Sequence, residues 1–121
     1  MHKTVMVVDD SSAIRKFVMF ALRAQGHAVV TAQDGMDALE KLADAPVDLV
    51  ITDLNMPKLD GFRLVEAIRE NPTHGQVPII ILSSLSSQRD IDQGIRVGAD
   101  AYLVKPFDQK RIQYEVSKFI N

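Results

Sequence analysis

Apolar residues fall into two alternating kinds of run along this chain: short β-branched stretches, and longer segments in which apolar side chains return every three or four positions. Thr4 to Val8 is the first short run, closed by Asp9-Asp10-Ser11-Ser12. Ile14, Phe17, Val18, Ala21 and Leu22 then recur at helical spacing, with Asp10, Ser11 or Ser12 available as N-cap and Gly26 as the stop. His27 to Ala32 predicts a second strand, and Asp34-Gly35 turns the chain. Met36, Leu39 and Leu42 give a second helix its inner face before Pro46. Val47 to Thr52 predicts a third strand, Phe62, Val65 and Ile68 line a third helix, and Asn71-Pro72 stops it. Pro78 to Leu82 is a continuous apolar run of the fully buried kind, followed by a helix from about Ser87 to Val97 with Ile91 and Ile95 inward and Gly98 at its end. Ala101 to Val104 predicts the fifth strand, which Lys105-Pro106 breaks. Asp108 then caps a last helix whose apolar positions are Ile112, Val116, Phe119 and Ile120.

Five strands alternating with five helices predict an α/β fold with a parallel sheet covered on both faces. The doubly wound, flavodoxin-like order 2-1-3-4-5 is taken from the known repertoire of small sheets, not from the pattern itself. The 121 residues suffice for one core, so a single domain over 1–121 with no output domain is expected. A net charge of −2 with no basic run gives no footprint for nucleic acid or a membrane surface. The absence of cysteine excludes disulfides and thiolate metal sites. No run approaches the ~20 apolar residues of a membrane span, and Met1-His2-Lys3 leads into a strand without a signal-peptide core, so a cytoplasmic location is expected.

In a parallel sheet all strands end at one edge, where open α/β sheets bind ligands. Strand one delivers Asp9 and Asp10 there, strand three Asp53, strand four Ser83 or Ser84, and strand five Lys105. Each residue alone has an ordinary structural explanation: a cap, a turn or a solvated lysine. Their arrival at one edge from four strands is the informative feature. Carboxylates ~5 Å apart at an effective dielectric of ~20 repel by about 3 kcal/mol per pair, so positive charge must sit among them. Lys105 supplies one charge, and a hard divalent cation with oxygen ligands, Mg²⁺ by preference, supplies the rest. Carboxylate, cation, hydroxyl and ammonium together suit a phosphoryl group, with an aspartate as nucleophile.

The runs Val5-Met6-Val7-Val8-Asp9-Asp10-Ser11, Asp53-Leu54-Asn55-Met56-Pro57, Asp60-Gly61, Pro78-Ile79-Ile80-Ile81-Leu82-Ser83, Gly98-Ala99-Asp100-Ala101-Tyr102 and Lys105-Pro106-Phe107 span the chain. With them the sequence resembles the receiver domains of bacterial two-component response regulators, and most of all the stand-alone chemotaxis type. The resemblance implies that Asp53 is the phosphoacceptor, that Asp10 binds Mg²⁺ directly and Asp9 through water, and that Asn55 offers its backbone carbonyl to the metal. It also implies that Ser83 takes the hydroxyl position, that Lys105 pairs with Asp53 and then with the phosphoryl oxygens, and that the Lys105-Pro106 bond is cis. Tyr102 falls at the aromatic switch position, whose ring swings inward when the hydroxyl residue moves toward the phosphate. The implied partners are a sensor histidine kinase as phosphodonor and a protein target on the helix 4, strand 5, helix 5 face, with the chain a monomer or weak homodimer. Such a protein is no enzyme in the ordinary sense, because it catalyses only its own phosphorylation and dephosphorylation. Asn55 and Leu85, two positions beyond Asp53 and Ser83, would tune hydrolysis of the phosphoaspartate.

Other readings fit less well. A dehalogenase-type phosphatase places Asp-x-Asp after strand one, but Ser11 stands where the second acid belongs, and the length leaves no cap domain. A flavodoxin's first loop cradles a phosphate that Asp9-Asp10 would repel. A phosphorelay intermediate, or a receiver module of a larger regulator, shares every residue named above. His2, His27 and His74 lie away from the predicted edge and receive no role.

Overall fold

The computed structural model describes residues 3–121; Met1 and His2 lie outside the described residues. The elements are β1 (Thr4–Val8), α1 (Ser12–Ala24), β2 (Ala28–Ala32), α2 (Gly35–Asp44), β3 (Leu49–Thr52), α3 (Gly61–Glu70), β4 (Ile79–Ser83), α4 (Gln88–Val97), β5 (Ala101–Val104) and α5 (Gln109–Ser117). Neighbouring strands pair in parallel in the order β2-β1-β3-β4-β5, the order expected. Successive strand residues point to opposite faces, and this divides the core in two. Met6, Val8, Val50, Ile79 and Ile81 face Leu42 of α2 and Leu64 and Ile68 of α3. Val5, Val7, Leu49, Ile51, Ile80 and Leu82 face Val18 and Leu22 of α1 and Ile112 and Val116 of α5. β1, β3 and β4 are buried on both sides, which is why their sequences read as unbroken apolar runs.

Register sets the functional edge. Val8 lies opposite Ala32 on one side and Thr52 on the other, so Asp9 and Asp53 leave the sheet at the same level. The Asp53 amide still donates to the Val8 carbonyl at 3.0 Å, and the Lys105 amide to the Ser83 carbonyl at 2.9 Å. Each helix then starts from a side-chain cap, which accepts the amide three residues on and satisfies one of the donors a helix leaves unpaired. The caps are Ser11, Asp34, Asp60, Ser87 and Asp108. The three candidates at α1 thus resolve to Ser11, and Asp34, read as a turn residue, is a cap.

Three apolar positions expected to face inward do not. Met36 and Ile95 are each 47% exposed, and Phe17 is 41% exposed with its ring 6.4 Å from that of Phe107. On α2 the inner face is carried by Gly35, Ala38 and Leu42, one position out of phase with Met36. On α4 the buried position is Gly94, and Ile95 turns to solvent beside it. α5 ends at Ser117, earlier than expected, yet Phe119 and Ile120 still pack into the second core.

Candidate functional site

The loops leaving β1 and β3 bring Asp9, Asp10 and Asp53 together, each with a carboxylate oxygen within 4.8 Å of the others. Asp9 is 3% and Asp53 8% exposed, while Asp10 is exposed. Burial deprives the charged forms of hydration, and each acid also feels the others. Burial accordingly raises Asp9 to about 6, with Asp53 and Asp10 adding to the shift, while the Ser11 amide and the Lys105 ammonium oppose it. Asp53 is raised for the same first reason and by Asp10, against the Leu54 amide, Lys105 and the Asn55 amide. Lys105 thus favours both carboxylates through space. The pair implied for Lys105 and Asp53 is not among the close ion pairs of the described residues.

The backbone around these acids is held tightly. Asp9 accepts from the Ser11 amide at 2.9 Å, and its carbonyl accepts from the Arg15 guanidinium at 2.5 Å. Asp53 accepts from the Leu54 amide at 2.8 Å, and its carbonyl accepts from the Thr52 hydroxyl at 2.9 Å. Gly61, the first residue of α3, presses so close that a Cβ there would stand 2.1 Å from the Asp53 carbonyl oxygen. Arg15, Thr52 and Gly61 escape a sequence reading because each meets backbone, and backbone partners leave no mark on residue type. Asn55 is exposed in the same loop, followed by Lys58 at a left-handed φ of 68°.

Ser83, not Ser84, is the serine turned into the fold: it is fully buried, whereas Ser84 is exposed. Its hydroxyl accepts from the Leu85 amide at 3.1 Å, and the Leu85 carbonyl accepts from the Tyr102 hydroxyl at 2.7 Å. One residue of the β4–α4 loop therefore joins the serine to the tyrosine. The Tyr102 ring is half-buried against the first core, and burial raises its phenol despite the opposing effect of Ser83. The Lys105-Pro106 bond is cis. His27 and His74 stand apart from this edge, and the Lys3 amide donates to His27 Nδ1 at 3.3 Å. No helix among the described residues is long and apolar enough to cross a membrane.

All the donor atoms of the acid cluster are hard carboxylate oxygens, with no imidazole or thiolate among them, and Asp9 and Asp53 are raised chiefly because burial deprives their charged forms of hydration. The residues fit a Mg²⁺-sized hard cation. Protein PilG of Pseudomonas aeruginosa is 41% identical over 108 residues, covering 89% of this chain and 80% of PilG. The gliding motility regulatory protein of Myxococcus xanthus is 46% identical over 101 residues, which is 84% of this chain but 13% of that much longer protein. Among solved structures, chemotaxis protein CheY4 of Vibrio cholerae superimposes with a TM-score of 0.93 at 36% identity, covering 99% of this chain and 100% of CheY4. Residues 5–117 match the response regulator receiver domain, and the chain belongs to that family.

Proposed function

We propose that the chain is a signalling switch worked by phosphorylation of Asp53, in a chemotaxis or motility pathway. The observation that carries this reading is the convergence of the carboxylates of Asp9, Asp10 and Asp53, two of them buried, at the strand edge that Ser83 and Lys105 share. The relatives that support the pathway are CheY4 and the gliding motility protein. Asp9, Asp10, Asp53 and the backbone of Asn55 would hold Mg²⁺. Bound there, the ion neutralises charge on the transferred oxygens.

An Asp53 carboxylate oxygen attacks phosphorus in a phosphohistidine of a sensor kinase, or in a small acyl phosphate. The new O–P bond forms as the bond to imidazole or to the acyl oxygen breaks. Lys105 stabilises the charge on the phosphoryl oxygens, and Ser83 donates its hydroxyl proton to one of them while still accepting from Leu85. Water later cleaves the acyl phosphate, releases inorganic phosphate and restores the carboxylate, so the chain turns over only its own modification. The added charge rewards movement of Ser83 and Lys105 toward Asp53 and biases the α4, β5, α5 face toward a shape that binds a target protein.

The test is intact mass after incubation with acetyl phosphate, with and without Mg²⁺, on wild type and Asp53→Asn. A Mg²⁺-dependent gain of one phosphoryl group in the wild type alone is expected. No gain, together with no binding of beryllofluoride, would sink the reading.

A further inference from the structure

α4 contains a glycine where a helix interior ordinarily rejects one, since only proline is a poorer helix former. Gly94 is also the one buried residue of that helix. The reason lies beneath it. A Cβ at Gly94 would stand 2.9 Å from Ile81 Cδ1 and 3.0 and 3.3 Å from Tyr102 Cδ2 and Cε2. The isoleucine contact is with the end of a flexible side chain and yields by rotation; the rigid aromatic ring can yield only by shifting as a whole. It is fixed at its far end as well, where the hydroxyl donates to the Leu85 carbonyl at 2.7 Å. The ring thus fills the space that a Cβ on α4 would take, and the apolar side chain of Ile95, which the helical period would aim at β5, turns outward instead.

We propose that Gly94 is a positioning residue for Tyr102: lacking a Cβ, it opens a seat under α4 in which the ring rests in the inward place before any phosphoryl group is bound. This rests on the switch reading above and changes its terms. The α4 to β5 part of the target-binding face is preset by the sequence of α4, so phosphorylation acts mainly through Ser83 and Lys105 and moves the tyrosine little. A side chain at position 94 makes the inward ring conditional on the phosphoryl group.

Two measurements decide it, neither needing a partner protein. The chain has two tyrosines, so 3-fluorotyrosine labelling of a Tyr114→Phe background leaves one fluorine resonance, from Tyr102. In ligand-free protein this resonance is expected to move toward its unfolded-chain position on Gly94→Ala. Beryllofluoride with Mg²⁺ is expected to return it in that variant and to leave it unmoved when Gly94 is present. The second measurement is a double-mutant cycle on thermal stability. Gly94→Ala should raise Tm by about 4 °C when Tyr102 is first replaced by alanine, as for an ordinary helical glycine, and should fail to raise it when the ring is present.

Coincident Tyr102 resonances in the ligand-free Gly94 and Gly94→Ala proteins, or an equal Tm gain with and without the ring, would overturn the seat. A large beryllofluoride-induced movement of Tyr102 with Gly94 in place would overturn the preset position. Bound beryllofluoride has its own fluorine resonances in the same spectrum. Their absence counts against the phosphorylation reading alone, because the seat is judged on the ligand-free pair.

Discussion

Asp53 is asked to be buried, charged and close to two other acids, and each demand opposes folding. Replacing it with asparagine keeps an acceptor for the Leu54 amide but removes one charge from the cluster. Asp53→Asn is therefore expected to stabilise the metal-free protein by on the order of 1 kcal/mol, about 4 °C in Tm for a chain of this size, while abolishing phosphoryl uptake. Thermal melts in a chelating buffer check the first half, and a lowered Tm would mean that the acids are not in conflict. Gly61 lies at the other extreme. Its missing Cβ leaves room for the Asp53 carbonyl, so Gly61→Ala should cost on the order of 3 kcal/mol, read from urea denaturation midpoints, and displace Asp53 as well. The sequence made the acids, Ser83 and Lys105 legible because each ends an apolar run with a polar residue. It hid the contacts of Gly61, Thr52 and Arg15 because their partners are backbone atoms, which every sequence supplies everywhere.

At the scale of elements, apolar period and terminators located all five strands and helices but not the side that each helix turns inward. Period fixes which side chains share a stripe but not which way a narrow stripe is turned. On α2 and α4 the side turned inward is the one that carries a glycine: Gly35 abuts the Leu59 carbonyl and Gly94 the Tyr102 ring, while Met36 and Ile95, next in sequence, are exposed. The far end of α4 was read correctly, at Val97 with Gly98 as its stop, but not the side chain that holds it. Arg69 of α3 donates to the carbonyls of Gly98, Gly75 and Val77 and to the carboxylate of Asp100. This clasp ties the end of α4 to α3 and to the loop before β4. Gly98 is held at a φ of 123°, with Arg69 Cγ 2.9 Å from where a Cβ would stand. Gly98→Ala is expected to cost about 1–3 kcal/mol in denaturant titrations, the usual cost of holding an ordinary residue in a sparsely populated conformation. At the start of α1, Ser11→Ala removes the acceptor of the Ile14 amide and should cost about 1 kcal/mol. That loss falls beside Asp9, whose carboxylate accepts the Ser11 amide, so weaker Mg²⁺ binding by calorimetry should accompany it. An unchanged Mg²⁺ affinity would show that the α1 cap and the acid cluster are independent.

For the whole molecule, the parallel order of the sheet turns the ends of β1, β3, β4 and β5 into one site, and the same edge makes stability depend on pH in an unusual direction. Most acids in folded proteins are held below their ordinary range, so stability rises as pH climbs toward about 4 and levels off above it. Here the resolved carboxylate shifts run the other way, with Asp9 raised from 3.8 to about 6 and Asp53 raised beside it. Between those two values the folded chain holds more protons than the unfolded chain. The contribution is complete below about pH 4 and is lost as pH rises through about 6. Metal-free protein should therefore melt at progressively lower temperature from pH 4.5 to 7, and Asp53→Asn should flatten the fall by relieving part of the Asp9 shift. A hard cation competes with those protons for the same oxygens. Millimolar Mg²⁺ should then raise Tm strongly at pH 7.5, where Asp9 is bare, and less at pH 4.5, where a proton already occupies it. At ten times its dissociation constant the ion adds about 1.4 kcal/mol. A set of melts across pH with and without Mg²⁺ reads all of this at once. Equal Mg²⁺ stabilisation at both ends of the range would place the ion elsewhere than on the Asp9, Asp10 and Asp53 cluster. A Tm that climbs steadily to neutral pH in metal-free protein would mean that Asp9 and Asp53 are not raised in the folded chain.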